Sequence, residues 1–372
     1  MQSLYIKQFK NIKELSIDEL GNVNLIVGKN NVGKSTILEA IAIYLSNGSE
    51  NTLKSLLKNR GETIYTMPYS NEDDADYESI VKGHYISLFG GREENYASDY
   101  SIIIGDNLDE KDRVIIKQVY IGERQEEKDS GLHGTVREVI PADLVNQRQS
   151  DFSTIREGLM VQSIERRSLI TYSRRVTSFM FKYKCNFQYV HTSDFNNDDN
   201  AALFDKIALS PEEDYIIQAL NIIDPAINKI NFINNENRRS ERIPVVSTKE
   251  SDKRYRLSSM GDGINRILTI ILALLNCKDG VLLLDEFETG LHYSVQEKLW
   301  DIIFMLSEKL SIQVFVTTHS DDCINSFVKS NQKATTKGQI IRLEKRQDNI
   351  CAKVFDDSDD LRFVTDNSIE IR

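Results

Sequence analysis

The sequence is poor in the residues that build secreted, fibrous or metal-clustered proteins: its 372 residues include 4 Cys, 5 Pro, 5 His and 1 Trp. Cys185, Cys277, Cys323 and Cys351 are far apart and form neither a CxxC pair nor a Cys/His group. That spacing argues against a disulfide frame or a zinc site, and the thiols read as reduced and structural. With so little proline, and 18 Gly without a period, collagen-like and low-complexity classes are excluded. Long apolar runs are also missing. The longest, Ile267–Leu275 with Thr269 inside it, is about half of the ~20 residues a membrane-spanning helix needs. The N-terminal MQSLYIKQFKNIKEL lacks the unbroken apolar segment of a signal peptide, so a cytoplasmic protein without membrane contact is expected. Positive charge is in deficit, 46 Lys+Arg against 57 Asp+Glu for a net charge of −11. The overall field therefore gives no support to DNA binding, which would need a local basic patch.

What is present describes a globular chain: 40% hydrophobic and 28% charged residues. The length is about two and a half times the ~150 residues typical of one domain, so one large domain with an insertion, or two domains, is expected. SLYIKQF, KELSID and NVNLIV read as strands, the last ending at a glycine turn before a helical stretch from Lys34 to about Leu45. Residues 66–80 read as a solvated acidic loop, and YSIIIG and RVIIKQVYIG as strands that ERQEEKDSG interrupts. From YRLSS onward, apolar strands (VLLLD, IQVFVTT, GQIIRLE) alternate with helices over Ile264–Leu275 and His292–Leu306 and another after Ser320, the pattern of a largely parallel, covered sheet.

Four stretches carry chemistry. Gly28-Lys29-Asn30-Asn31-Val32-Gly33-Lys34-Ser35, followed by Thr36, is a complete G-x-x-x-x-G-K-S phosphate loop between a strand and a helix. Gly28 and Gly33 permit a backbone path whose N–H groups face phosphate oxygens, and the helix N-terminus adds its dipole. Lys34 is expected to bridge the β- and γ-phosphates, and Ser35 to ligate Mg²⁺. In VLLLDE, the buried strand ends in Asp285, a candidate Mg²⁺ ligand, and Glu286, a candidate base for the attacking water. Thr317-Thr318-His319-Ser320 closes the next strand and offers His319 as a partner of the γ-phosphate. Leu257-Ser258-Ser259-Met260-Gly261-Asp262-Gly263 opens the apolar helix. There Ser259 or Asp262 either caps the helix or helps bind an external phosphate.

In this order the four stretches resemble the ABC-type ATPase heads of SMC, RecF and OLD (overcoming lysogenization defect) proteins. Closer matches to the stand-alone OLD-like AAA family ATPases lie in FKNIKELSIDELGNVNLIVGKNNVGKSTILEAI, SSMGDGINRIL, LLLDEFETGLHYSVQEKLW and the ending NSIEIR. The resemblance implies an α/β P-loop NTPase of ABC-ATPase head type, with a two-lobed, mostly parallel sheet and an inserted, largely helical region. Residues 1–125 would be the lobe with the P-loop. Residues 126–245 would be a lid or arm, and 246–372 the lobe with signature, Walker B and switch histidine. It further implies cofactors ATP and Mg²⁺ and a homodimer that sandwiches ATP. By this carry-over Gly28, Asn30, Asn31, Gly33, Lys34, Ser35 and Thr36 bind nucleotide, and Ser259, Gly261 and Asp262 stand for the signature serine, second glycine and glutamine. Met260 departs from the pattern. Glu288 to His292 resembles the D-loop, although His292 reads equally as a first-turn helix residue. Phe9-Lys10-Asn11 resembles a nucleotide-flanking element or is a plain turn, and Ser87-Leu88-Phe89 falls near the unassigned Q-loop. Larger OLD proteins end in a Toprim nuclease, for which the 53 residues after His319 are too few. Asp356-Asp357-Ser358-Asp359-Asp360 reads as capping charge of a final helix.

The leading functional expectation is an ATP-hydrolysing switch acting on an effector protein encoded nearby, as in anti-phage systems. The alternative is a DNA-binding repair ATPase using Arg166, Arg167, Arg174 and Arg175, with 167, 171 and 174 on one helical face, together with Arg238, Arg239 and Arg242. A non-hydrolysing nucleotide scaffold is disfavoured by the presence of Glu286. Lys34→Ala is expected to abolish ATP hydrolysis in a phosphate-release assay, and activity retained by the variant would refute the assigned loop.

Overall fold

The computed structural model describes residues 1–61, 74–97, 99–127, 133–172, 182–192, 196–235 and 241–356. The chain begins with β1 (Leu4–Phe9), β2 (Ile12–Ile17), β3 (Val23–Val27), α1 (Lys34–Leu45), α2 (Glu50–Asn59) and α3 (Asp74–Ile86). There follow β4 (Ile102–Gly105), β5 (Arg113–Glu127), β6 (His133–Ile140), β7 (Thr154–Gln162), β8 (Arg167–Thr171) and β9 (Phe187–Val190). Next come α4 (Asn197–Asp205), α5 (Glu213–Leu220), β10 (Ile227–Asn234), β11 (Arg242–Thr248) and β12 (Ser251–Arg256). The final part holds α6 (Asp262–Leu275), β13 (Val281–Leu284), α7 (Tyr293–Lys309), β14 (Gln313–Thr317), α8 (Asp321–Lys333), β15 (Gly338–Arg346) and β16 (Asn349–Phe355). Two compact units result: Met1–Glu19 with Glu39–Lys184 and Lys345–Cys351, and Leu20–Leu38 with Cys185–Glu344 and Ala352–Arg372.

In the first unit, antiparallel pairing builds a sheet of order β2-β1-β4-β5-β7-β8, with β6 also paired to β5. Leu4 and Ile6 of β1, Ile102 and Ile104 of β4, and Val114 and Ile116 of β5 are fully buried, while the residues between them are less so. This period of two gives the sheet one covered face. ERQEE, which reads as a break, instead continues β5. Its charges pair across the ladder, with Glu123 opposite Arg137 and their side chains 2.8 Å apart. The acidic stretch read as a loop is helical from Asp74, where Val81 and Tyr85, four residues apart, are buried. The rest of that stretch lies outside the described residues.

In the second unit the sheet order is β16-β15-β3-β14-β13-β9, with parallel pairing from β15 through β9. Among the described residues parallel pairing is confined to this sheet, whereas the sheet of the first unit is antiparallel, so the expected mostly parallel sheet is found in the second unit alone. Every residue of β3 and β13 is buried, as strands covered on both faces require. A separate antiparallel sheet runs β10-β11-β12. Helix α6 is buried at Ile264 and continuously from Arg266 to Leu275, the signature of a core helix. The parallel registers pair Leu284 with Val316, and Thr317 with Ile26. The loops after β3, β13 and β14 therefore leave the sheet at one end.

The expectation of a largely helical segment over 126–245 is corrected: its described residues carry the end of β5, all of β6 to β10 and the start of β11, against only two α-helices. The strands were hard to read because charge and glycine interrupt their alternation, as in the β7 sequence TIREGLMVQ. Arg167 and Thr171 lie on β8, not on a shared helical face. Arg174, Arg175, Arg238 and Arg239 lie outside the described residues, as does the acidic run beyond Asp356. None of the four cysteines forms a disulfide, and Cys277 and Cys323 are buried. No helix among the described residues is long and apolar enough to cross a membrane.

Trp300 of α7 is fully buried, stacked on Phe287 with centroids 4.4 Å apart and edge-on to Phe327 at 5.1 Å. Phe287 lies between Glu286 and Glu288, so this aromatic group packs directly beneath the loop after β13. Trp300→Ala is expected to lower unfolding stability by about 3–5 kcal/mol. Urea denaturation measures it, and a loss below about 1 kcal/mol would show that the aromatic packing is dispensable.

Candidate active site

The phosphate loop begins where β3 ends. Gly28 has φ 146°, and a Cβ there would meet Leu343 O at 2.7 Å and a methyl of Val32 at 2.9 Å. Only glycine fits. Asn31 (φ 63°) and Gly33 (φ 98°) also take positive φ, the kind of turn that directs successive N–H groups into one concavity. Asn30 and Asn31 are exposed and Thr36 is buried. Lys34, the first residue of α1, donates from Nζ to Gly28 O at 2.7 Å and Lys29 O at 3.1 Å. Burial pushes its pKa down, while Glu288, Glu286 and Asp285 pull it up.

Asp285 sits at the C-terminal end of β13. One carboxylate oxygen, Oδ1, accepts from Ser35 Oγ at 3.0 Å and from Thr317 Oγ1 at 2.5 Å. The same threonine hydroxyl accepts from the Glu286 N–H at 2.8 Å, and its carbonyl accepts from the Phe287 N–H at 3.0 Å. On the other side, the Asp285 N–H donates to Val190 O at 2.9 Å. The acidic pair is thus stitched to β14 and β9, and through Ser35 to the phosphate loop.

Beneath the pair lies a group that the sequence reading did not single out. Arg266 of α6 is fully buried and donates from Nη1 to His191 O at 2.9 Å and from Nη2 to Asp285 O at 2.7 Å and Glu286 O at 3.2 Å. A guanidinium inside an apolar helix must find acceptors, and here strand-end carbonyls provide them. A lone arginine within an otherwise apolar helix is the signal that could have flagged it. Glu286 adopts φ 49°, a left-handed conformation that costs a non-glycine residue about 1–3 kcal/mol and that surrounding bonds must hold in place.

Glu288, noted in the sequence only as the start of the D-loop resemblance, holds the segment that follows β14. It accepts from Thr318 Oγ1 at 2.7 Å and from the His319 N–H at 2.9 Å, and its Oε1 lies 2.9 Å from His319 Nδ1. His319 directly precedes Ser320, which caps α8 by accepting from the Cys323 N–H. His292 is the cap of α7, accepting from the Ser294 N–H through Nδ1.

The structure therefore joins Ser35, Asp285 and Thr317 in one hydrogen-bonded set, with Lys34 beside the acids. Ser259, Gly261 and Asp262 lie exposed at the start of α6, outside that set. The capping alternative for Ser259 and Asp262 is not realised. Gly261 is the cap position with no side-chain bond, and Ser259 Oγ donates to Arg256 O at 2.6 Å. In the first unit, Phe9 bridges Phe89 and the Lys10 N–H donates to Leu88 O, so two stretches noted in the sequence meet. Lys10 pairs with Glu39, which Arg60 also grips at 2.6 and 2.7 Å. Arg242 pairs with Asp205.

The family described as AAA ATPase domain matches residues 1–130 and 191–324. An ATP/GTP phosphatase of Helicobacter pylori is 26% identical over 344 residues, covering 87% of this chain and 86% of that protein. An uncharacterized protein of Methanocaldococcus jannaschii is 36% identical over 85 residues, covering 20% of this chain and 39% of that one. An SMC head, solved bound to the C-winged helix domain of ScpA, superposes with a TM-score of 0.51 at 14% identity, covering 97% of this chain and 99% of that one. That likeness establishes an α/β fold of the SMC/ABC-type ATPase head.

Thr317→Val keeps the side-chain shape but leaves the Glu286 N–H and Asp285 Oδ1 short of a partner, at a cost of about 1–3 kcal/mol. Hydrolysis is expected to fall while nucleotide affinity changes little. Unchanged turnover in a coupled assay would remove this hydroxyl from the machinery.

Proposed function

The chain belongs to the AAA ATPase domain family, and on that premise we propose that it is a Mg·ATP-driven switch in which two copies close around ATP and thereby control a separately encoded effector. As a member of the family it binds nucleotide and hydrolyses ATP. The observation that supports the Mg·ATP part of this reading is the convergence of Ser35 Oγ on Asp285 Oδ1 at 3.0 Å, with Glu286 next in the chain and Lys34 within the electrostatic reach of both acids.

Two hard oxygens from a hydroxyl and a carboxylate suit Mg²⁺, and Ser35 and Asp285 are the residues that would hold it. When bound, the ion supplies charge neutralisation for the phosphates. Lys34 exchanges its two loop carbonyls for β- and γ-phosphate oxygens, and the N–H groups of Asn30, Asn31, Gly33, Lys34, Ser35 and Thr36 donate to the remaining phosphate oxygens. Glu286 orients the attacking water and takes its proton. His319 contacts the terminal phosphate. The exposed Ser259, Gly261 and Asp262 at the N-terminus of α6 are free to meet the nucleotide of a second copy.

The stand-alone OLD-like type and an anti-phage role belong to this proposal and rest on the motif resemblance. The Helicobacter pylori relative is named for both ATP and GTP, so the assay runs both nucleotides. Of the arginines named for the DNA-repair alternative, Arg242 is engaged by Asp205.

Glu286→Gln is expected to hold ATP without turning it over and to elute as a dimer in Mg·ATP but not in Mg·ADP. A variant that stays monomeric in both nucleotides, or one that hydrolyses at the parent rate, would sink the switch. Control of an effector is tested by co-expressing the neighbouring gene's product with this variant. Failure of the two proteins to co-purify in either nucleotide state would remove that part of the proposal.

A further inference from the structure

We propose that Glu288 is a positioning residue that locks the imidazole of His319 with its proton on Nδ1, leaving Nε2 as the nitrogen that meets the terminal phosphate. This rests on the reading of His319 as a phosphate partner. It adds the group that makes such a contact geometrically defined.

The argument begins with what each neighbour can donate. The main-chain N–H of His319 can only donate, and it does so to Glu288 Oε1 at 2.9 Å. The Thr318 hydroxyl accepts from the Ser320 N–H at 3.1 Å and donates its own proton to Glu288 Oε2 at 2.7 Å. Both carboxylate oxygens are thereby held as acceptors. Nδ1, 2.9 Å from Oε1, must then be a donor. A carboxylate behind one ring nitrogen fixes the tautomer and the ring plane, as it does for histidines in catalytic triads and metal sites.

Burial separates this arrangement from a surface contact. The Glu288 side chain is 12% exposed and that of His319 47%, so the bond is made on the inner edge of the ring while the outer edge reaches solvent. Thr318 is fully buried and its N–H donates to Ile26 O at 3.1 Å, which anchors the grip to β3 just before the phosphate loop. With Nδ1–H committed to Glu288, Nε2 can donate to a phosphate oxygen only after taking a second proton. The resulting imidazolium lies against the Glu288 carboxylate, and its bond to phosphate is charge-assisted.

Four variants test this in Mg·ATP: His319→Ala, Glu288→Ala, Glu288→Gln and the double variant Glu288→Ala/His319→Ala, each checked for an unchanged melting temperature. Glu288→Ala is expected to lower kcat by about 10- to 100-fold with little change in KM. Its effect should vanish in the His319→Ala background, because the two act as one unit. Glu288→Gln should recover most of the rate, since its amide oxygen still accepts from both His319 donors and its NH₂ group can face the Thr318 oxygen. In the nucleotide-free proteins, ¹⁵N NMR of the histidines should report the Nδ1–H tautomer for His319 in the parent and the Gln variant, and its loss in the Ala variant. If His319→Ala alone leaves kcat intact, the phosphate role of His319 fails. If it lowers kcat while Glu288→Ala does not, or the two effects multiply, the positioning role is overturned. A parent protein with His319 in the Nε2–H form overturns it whether or not the variants fold.

Discussion

Everything at the site depends on one threonine hydroxyl. Thr317 Oγ1 gives its proton to Asp285 and receives one from the Glu286 N–H, so the two adjacent acids are held by a single atom on the neighbouring strand. That atom is in place because β13 and β14 run parallel in a register that ends both strands at the same level. A one-residue slip would turn the hydroxyl to the other face of the sheet. The buried runs of β3 and β13 that exclude such a slip are thus as much a part of the site as its charged groups. From the Asp285 oxygen the bonding passes to Ser35 and so to the first turn of α1.

Around this junction, separate elements supply one requirement each. Arg266 satisfies carbonyls that a sharp turn after β13 would leave unpaired. Phe287 and Trp300 fill the space below the turn. Glu288, one residue further on, grips the segment that follows β14. Three successive residues of one loop therefore face three tasks: Glu286 is the proposed base, Phe287 packs into the core and Glu288 holds His319. Such a division leaves little freedom for insertion between Asp285 and Thr289.

The phosphate loop, the acid pair and the flanking strands were legible because their signals are local: a glycine spacing, an apolar run, acids at a strand end. Arg266 was not, because its role depends on carbonyls that reach it through the fold from His191 and from Asp285 and Glu286. Glu288 was visible only as part of a D-loop resemblance, since its bond to His319 spans two strand ends. The antiparallel sheet of the first unit was missed where cross-strand charge pairs such as Glu123 with Arg137 look like loop composition. Sequence reasoning supplied helices over 126–245 because polar strands with one solvated face lack the apolar runs that mark buried ones. The signature turn was found, but its capping alternative failed because Gly261 itself occupies the cap.

The left-handed backbone at Glu286 has a bearing on the history of such chains. At φ 49° the position would suit glycine or asparagine better than glutamate. Replacement would relieve strain at no packing cost to the sheet. The side chain accepts one long bond, from Thr289 Oγ1 at 3.3 Å, so stability gives little reason to keep the acid, and a lineage released from the need to hydrolyse nucleotide would drift toward a better-folded, silent copy. On the proposed reading of Glu286 as the base, the strain at this position is a cost carried for turnover and not for folding.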